Sequence, residues 1–128
     1  MRAALDTNRL TDLFRGDAVL AELLATCEQV WIPLFVLGRS RLGSTEAPTG
    51  MRLCCKSCLP SRTVGVLLPG RETAEQYARL FVQLKRAGTP IPDNDLWIAA
   101  LALEHDLLLI TRDRHFERIP QLLRGSRR

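Results

Sequence analysis

The sequence predicts an α/β domain, a parallel sheet with helices on both sides. Three observations predict it. Strand-like and helix-like apolar periods alternate along the chain. The run Leu107-Leu108-Leu109-Ile110-Thr111 is continuously apolar, as a strand covered on both faces requires. The length of 128 residues, with 46% hydrophobic and 25% charged, fits one globular domain.

Residues 1–6, Met-Arg-Ala-Ala-Leu-Asp, read as a short strand ending in an acid. Thr7-Asn8 then open a helix carried by Leu10, Leu13 and Phe14 at helical offsets. After Gly16, Asp17 is the N-cap of a second helix with the stripe Val19, Leu20, Leu23 and Leu24. Val30-Trp31-Ile32 is a strand stopped by Pro33. From Arg71 to Ala87 a long helix is expected to place Ala74, Tyr77, Ala78, Phe81, Val82 and Leu84 on one side, with Gly88 as its stop. Pro90 and Pro92 make 89–93 a loop. Asp93 or Asn94 caps the next helix, with Trp97, Ile98, Leu101 and Ala102 on its face and its end near His105. The last strand stops at Thr111-Arg112-Asp113. No internal repeat is present, and the domain is expected to span 1–123 with a frayed basic tail over 124–128.

Composition narrows the function classes. Lys+Arg 18 against Asp+Glu 14 gives a formal charge of +4, which suits a polyanionic partner, though part of the excess sits in Arg124, Arg127 and Arg128. No apolar stretch approaches the ~20 residues of a bilayer span, and Asp6 interrupts the N-terminal stretch, so no membrane association and no export are expected. Of four cysteines, Cys54, Cys55 and Cys58 crowd together and Cys27 stands apart. With His105 and His115 at no zinc-finger spacing, a structural zinc is not expected, and a reducing cytoplasmic setting is.

Three acids occupy matching places in this order of elements. Asp6 ends the first strand, Asp113 follows the last, and Asp95 lies in the first turn of a helix. In open parallel sheets the ligand crevice lies beyond the carboxyl ends of the strands, so Asp6 and Asp113 are expected to face it and Asp95 to lean into it. Carboxylates held together repel and raise one another's pKa unless a cation neutralises them. Oxygen donors of this kind suit Mg²⁺ or Mn²⁺. A hard cation beside a basic chain points to phosphodiester hydrolysis. Each acid alone has a plainer reading, as a first-turn acid favoured by the helix dipole or as a turn cap. Their joint placement favours the metal. Asn8 and Thr111 are candidate supporting residues, and Arg112 and Arg114 candidate phosphate contacts. His105 reads as a helix-end residue and His115 as an exposed loop residue, with no catalytic role for either. Trp31 and Trp97 read as core or interface residues.

Four segments together resemble a known family: Leu5-Asp6-Thr7-Asn8, Ile32-Pro33 with Val36-Leu37-Gly38, Asn94-Asp95-Leu96-Trp97-Ile98-Ala99-Ala100, and Leu109-Ile110-Thr111-Arg112-Asp113-Arg114-His115-Phe116. They are similar to PIN-domain ribonucleases of the VapC type, the toxins of bacterial toxin–antitoxin pairs. The resemblance covers 1–38 and about 62–123. It implies a three-layer α/β/α sandwich, Mg²⁺ or Mn²⁺ held by acids, endonucleolytic cleavage of RNA, a homodimer, and inhibition by a cognate antitoxin protein. Asp6, Asp95 and Asp113 fall on the family's first, third and fourth acidic positions.

The second acid is missing: Arg39 stands directly after Val36-Leu37-Gly38, where the family pattern has Glu. A guanidinium cannot be deprotonated, so it offers a fixed positive charge in place of a ligand. Glu46 lies two helical turns further on and cannot take the same direction in an intact helix. The stretch after Arg39 should continue a helix, yet it contains Gly43, Pro48, Gly50 and the cysteine cluster. If its codons are started one nucleotide earlier, an acid at position 39 and an apolar pattern through Cys54-Cys55-Lys56-Ser57-Cys58 become available. Residues of roughly 39–60 are therefore expected to be translated out of frame between two compensating shifts; the alternative is a natural divergent segment.

The function expected is a metal-dependent endoribonuclease toxin. Its main rival is a catalytically impaired relative that only binds RNA or antitoxin, because Arg39 replaces a ligand. A phosphatase with Asp6 as nucleophile is disfavoured, since such chemistry commonly needs a second acid two residues on and Asn8 stands there.

Overall fold

The computed structural model describes residues 1–36 and 63–125. Arg39, Glu46, the cysteine cluster and the rest of the atypical 39–60 segment lie outside the described residues, as do 126–128. Strand β1 (Arg2–Leu5) leads into α1 (Thr7–Phe14) and α2 (Ala18–Ala25), then β2 (Gln29–Pro33) and β3 (Thr63–Leu67). Helices α3 (Arg71–Ala87) and α4 (Asp93–Glu104) precede β4 (Leu108–Ile110), a 3-10 turn (Arg114–Arg118) and β5 (Arg124–Gly125). All strand pairs are parallel, in the order β3-β2-β1-β4-β5. This is the expected three-layer α/β/α sandwich. Among the described residues no helix is long and apolar enough to cross a membrane.

The core follows from β1. Ala3, Ala4 and Leu5 are fully buried between β2 and β4, with Ala3 registered on both Val30 and Leu108. Helix α1 buries Leu10 and Leu13 against them, and α2 buries Leu20 and Leu24. Asp17 caps α2 as expected, accepting from Leu20 N at 3.0 Å. Gly88 ends α3 in the left-handed conformation, φ 70°, which a residue without Cβ adopts at no steric cost. Trp31 is registered opposite Gly65, where an added Cβ would stand 2.6 Å from the indole, so the ring occupies the space a side chain on β3 would need.

Several expectations are corrected. Helix α3 buries Thr73, Leu80 and Leu84, while Ala74, Ala78, Phe81 and Val82 are exposed. The buried stripe is rotated because Thr73 satisfies its hydroxyl internally, giving to Glu104 and accepting from Gly70 N, and so takes a core position that an apolar count passes over. The cap of α4 is Pro92, with Asp93 already helical. The tail does not begin at 124: Arg124 and Gly125 pair with Leu109 and Ile110 as the fifth strand. Cys27 is buried, with its thiol against Leu23 O.

Candidate metal centre

The strand order reverses direction at β1: the chain moves outward through β2 and β3, then returns to β4 on the other side of β1. The carboxyl ends of β1 and β4 therefore border the crevice where open parallel sheets bind ligands. Asp6 and Asp113 follow those two ends. Asp95 comes from the first turn of α4. A cavity of about 360 Å³ opens there, lined by Asp6, Thr7, Asn8, Pro92, Asn94, Asp95, Asp113 and His115. The structure thus brings all three expected acids to one cavity.

Asp6 is buried, at 4% exposure. Its backbone N–H donates to Ile110 O at 3.1 Å, extending the β1–β4 ladder by a residue and fixing the side chain at the sheet end. Oδ1 accepts from Thr7 N at 2.7 Å as the cap of α1, and Oδ2 accepts from the Thr111 hydroxyl at 2.7 Å. Burial pushes this carboxyl above the ordinary carboxylate value. The donors from Thr111 and Thr7 oppose the shift, and the charges of Asp95 and Asp113 add to it. Thr111 also accepts from Asp113 N at 3.0 Å, so one hydroxyl ties two of the acids together.

Asp113 caps the 3-10 turn, accepting from His115 N at 3.0 Å. That turn folds the His115 ring back over the cavity: Nδ1 stands 2.9 Å from Asp95 Oδ2 and 3.0 Å from Asp113 Oδ1. Asp95, Asp113 and His115 form a group whose ligand atoms all lie within 4.8 Å of one another. Asp6 shares the cavity but is not a member of that group. His115 is partly exposed, as its sequence position suggests, but it sits in the 3-10 turn and lines the cavity rather than standing apart from the site in a loop. The available signal was the spacing Asp113-Arg114-His115 directly after an acid-ended strand, which a capping turn brings onto one side. His105 ends α4 as expected.

The supporting residues divide. Thr111 is buried and bonded to Asp6. Asn8 lines the cavity, but its Oδ1 accepts from Arg112 N at 3.3 Å, so it pins the segment after β4 to α1 rather than orienting Asp6. Arg112 does not turn toward the cavity. Its guanidinium makes a forked contact with Asp12, Nε to Oδ2 at 2.8 Å and a terminal nitrogen to Oδ1 at 3.0 Å, because α1 presents that carboxylate beside the strand end. Arg114 is exposed at the start of the turn and does not line the cavity. Trp97 stacks on Tyr77 with ring centroids 4.0 Å apart and on Phe35 at 5.9 Å, which makes it packing rather than a base platform.

Comparison with known proteins agrees with this architecture. The PIN domain family model matches residues 57–122. The chain is 31% identical over 122 residues to the VapC ribonuclease Y4jK of Sinorhizobium fredii, covering 85% of each. It is 40% identical over 65 residues to Ribonuclease VapC1 of Haemophilus influenzae, spanning about half of both chains. Among solved structures it superposes on VapBC-1 from nontypeable Haemophilus influenzae with a TM-score of 0.78 and 28% identity over 98% of both chains. It superposes on VapBC2 from Rickettsia felis, bound to a DNA fragment from their promoter, with a TM-score of 0.77 and 25% identity over 98% of both chains. With a family model over half of its length, a VapC relative over most of it and the shared five-stranded parallel sheet, the chain belongs to the PIN-domain family, among the VapC-type toxins.

Proposed function

We propose that the chain is a metal-dependent RNA endonuclease, the toxin of a toxin–antitoxin pair, acting at the cavity between the ends of β1 and β4. The observation that carries this reading is the meeting there of Asp6, Asp95 and Asp113 from distant parts of the chain. The relatives are named ribonucleases, which supports the same activity here.

The residues present fit a hard divalent ion. Asp6 is buried with its carboxyl pushed up by desolvation and by two neighbouring carboxylates, an arrangement that a cation relieves. Asp6, Asp95 and Asp113 would hold Mg²⁺ or Mn²⁺. Such an ion, when bound, polarises a phosphoryl oxygen and lowers the pKa of water. The chain's own part is positional: Thr111 orients the Asp6 carboxylate, Asn8 pins the segment that carries Asp113, and the cap at Asp113 fixes its turn. Arg114 is an exposed cation next to the site and available to phosphate; Arg112 is held by Asp12.

A cognate antitoxin protein is the proposed partner, since the solved neighbours are VapBC toxin–antitoxin structures. A homodimer is proposed from the family resemblance, and exposed Val66, Leu68, Phe81 and Val82 supply apolar surface for contacts. The test is cleavage of a structured RNA by the purified chain with added Mg²⁺ or Mn²⁺. Activity abolished by chelation and by Asp6→Asn is expected; activity that survives Asp6→Asn would overturn the reading. The second reading, a chain that only binds RNA or antitoxin, is favoured by Arg39 in place of an acid. It predicts no cleavage with either metal and cleavage gained by Arg39→Glu together with repair of the 39–60 segment.

A further inference from the structure

We propose that His115 is itself a metal ligand, so that Asp95, Asp113 and His115 form a mixed oxygen–nitrogen site that takes Mn²⁺ in preference to Mg²⁺. The proposal rests on the nuclease reading for the presence of a divalent ion in this cavity.

The first support is geometric. Nδ1 of His115 is 2.9 Å from Asp95 Oδ2 and 3.0 Å from Asp113 Oδ1. Two ligand atoms at right angles on an octahedral ion, each about 2.1 Å from it, are about 3.0 Å apart. The two separations match neighbouring vertices of such a site. All three ligand atoms lie within 4.8 Å of one another, close to the about 4.2 Å that opposite vertices of such a site span, so a small inward shift of the carboxylates would close it on one ion.

The second support is the way the ring is held. His115 N donates to Asp113 Oδ1 at 3.0 Å, which fixes the residue at the start of a capped turn, and the next side chain, Phe116, is fully buried as its anchor. The ring therefore presents Nδ1 to the acids from a rigid element, while its own side chain is 39% exposed and carries little desolvation cost.

The third support is the balance of donors. Each Asp6 oxygen accepts one hydrogen bond, from Thr7 N or from the Thr111 hydroxyl, and keeps a lone pair for the ion, but Asp6 stands outside the mutual-reach group. An imidazole supplies a donor that the acid set lacks. Imidazole nitrogen suits transition ions, whereas Mg²⁺ keeps to oxygen and water. A His115 that served only as a cationic partner for the two acids would behave oppositely, since an incoming ion would have to displace it and its removal would strengthen binding of both metals.

The experiment uses the full chain without a histidine tag. Mn²⁺ and Mg²⁺ affinities are measured by titration calorimetry, and Mn²⁺ is examined by pulsed electron paramagnetic resonance for coupling to a directly bound ¹⁴N. The expected result is a nitrogen coupling in the wild type that disappears in His115→Gln, with the Mn²⁺ dissociation constant raised about tenfold or more and the Mg²⁺ constant changed much less. Mn²⁺ binding without nitrogen coupling, or unchanged or tighter binding in His115→Gln, overturns the proposal and leaves the nuclease reading standing. Failure of the wild type to bind either ion overturns both. If His115→Gln does not fold, the nitrogen coupling in the wild type decides alone.

Discussion

The Thr111 hydroxyl donates to Asp6 Oδ2 at 2.7 Å, joining residues 105 positions apart at the ends of two neighbouring strands, and its oxygen also accepts from Asp113 N at 3.0 Å. Thr111→Val keeps the branched shape and removes both bonds. Metal affinity and RNA cleavage are expected to fall about 10–100-fold, and stability by roughly 1–3 kcal/mol for the buried groups left unpaired. Thr111→Ser should retain most of both. Metal titration and thermal melts of the two variants check this; a Val variant with wild-type metal affinity would contradict it.

The Asp6 carboxyl lies above its ordinary value of 3.8, chiefly through burial. The folded chain therefore keeps a proton that the unfolded chain has already lost, and unfolding free energy falls as pH rises from about 3.8 through the raised value. Above that value the full penalty stands. Asp6→Asn removes it while keeping a good cap for α1. Without metal, this variant is expected to melt above the wild type at neutral pH, with the gap closing in acid. Saturating Mn²⁺ should raise the melting temperature of the wild type more than that of the variant. Melting curves in chelator across pH measure this, and an Asn variant less stable at neutral pH would count against it.

Arg112 and Arg114 are expected to behave differently. Arg112→Ala breaks the forked contact with Asp12 and should cost about 1 kcal/mol or less, with no change in how RNA binding depends on salt. Arg114→Ala should leave stability unchanged and lower the salt slope of RNA binding by about one. Anisotropy titrations over a range of KCl, in an Asp6→Asn background to prevent cleavage, separate the two. Equal slopes for Arg114→Ala and its parent would remove Arg114 from the RNA contacts.

Much of the fold was legible because it is written in apolar period. Strands β1, β2 and β4 and the four α-helices of the described residues follow from runs and stripes that the sheet and its covering layers bury. Strand β3 was not legible: its centre is Gly65, kept free of a side chain by Trp31, and it adjoins the atypical segment. Strand β5 is two residues, Arg124 and Gly125, and exists only through pairing with β4. The meeting of Asp6 and Asp113 could be read because parallel strands end on one side. The placement of His115 and the capture of Arg112 by Asp12 depend on a capping turn and a helix orientation, which spacing alone does not encode.

For the segment from Arg39 onward the coding DNA gives the direct check. Sequencing codons 38–62 is expected to show two compensating single-base shifts that restore an acid at position 39 and an apolar helix. A gene in which no such shift restores them would make the segment a natural one.

The central claim is that carboxylates from separate elements converge to hold a small divalent ion. Titration calorimetry of Mn²⁺ into the metal-free chain, compared with Asp95→Asn and Asp113→Asn, tests it most directly. Binding by the wild type, weakened about tenfold or more in each variant, is predicted. No binding by the wild type, or equal binding by all three proteins, would contradict it.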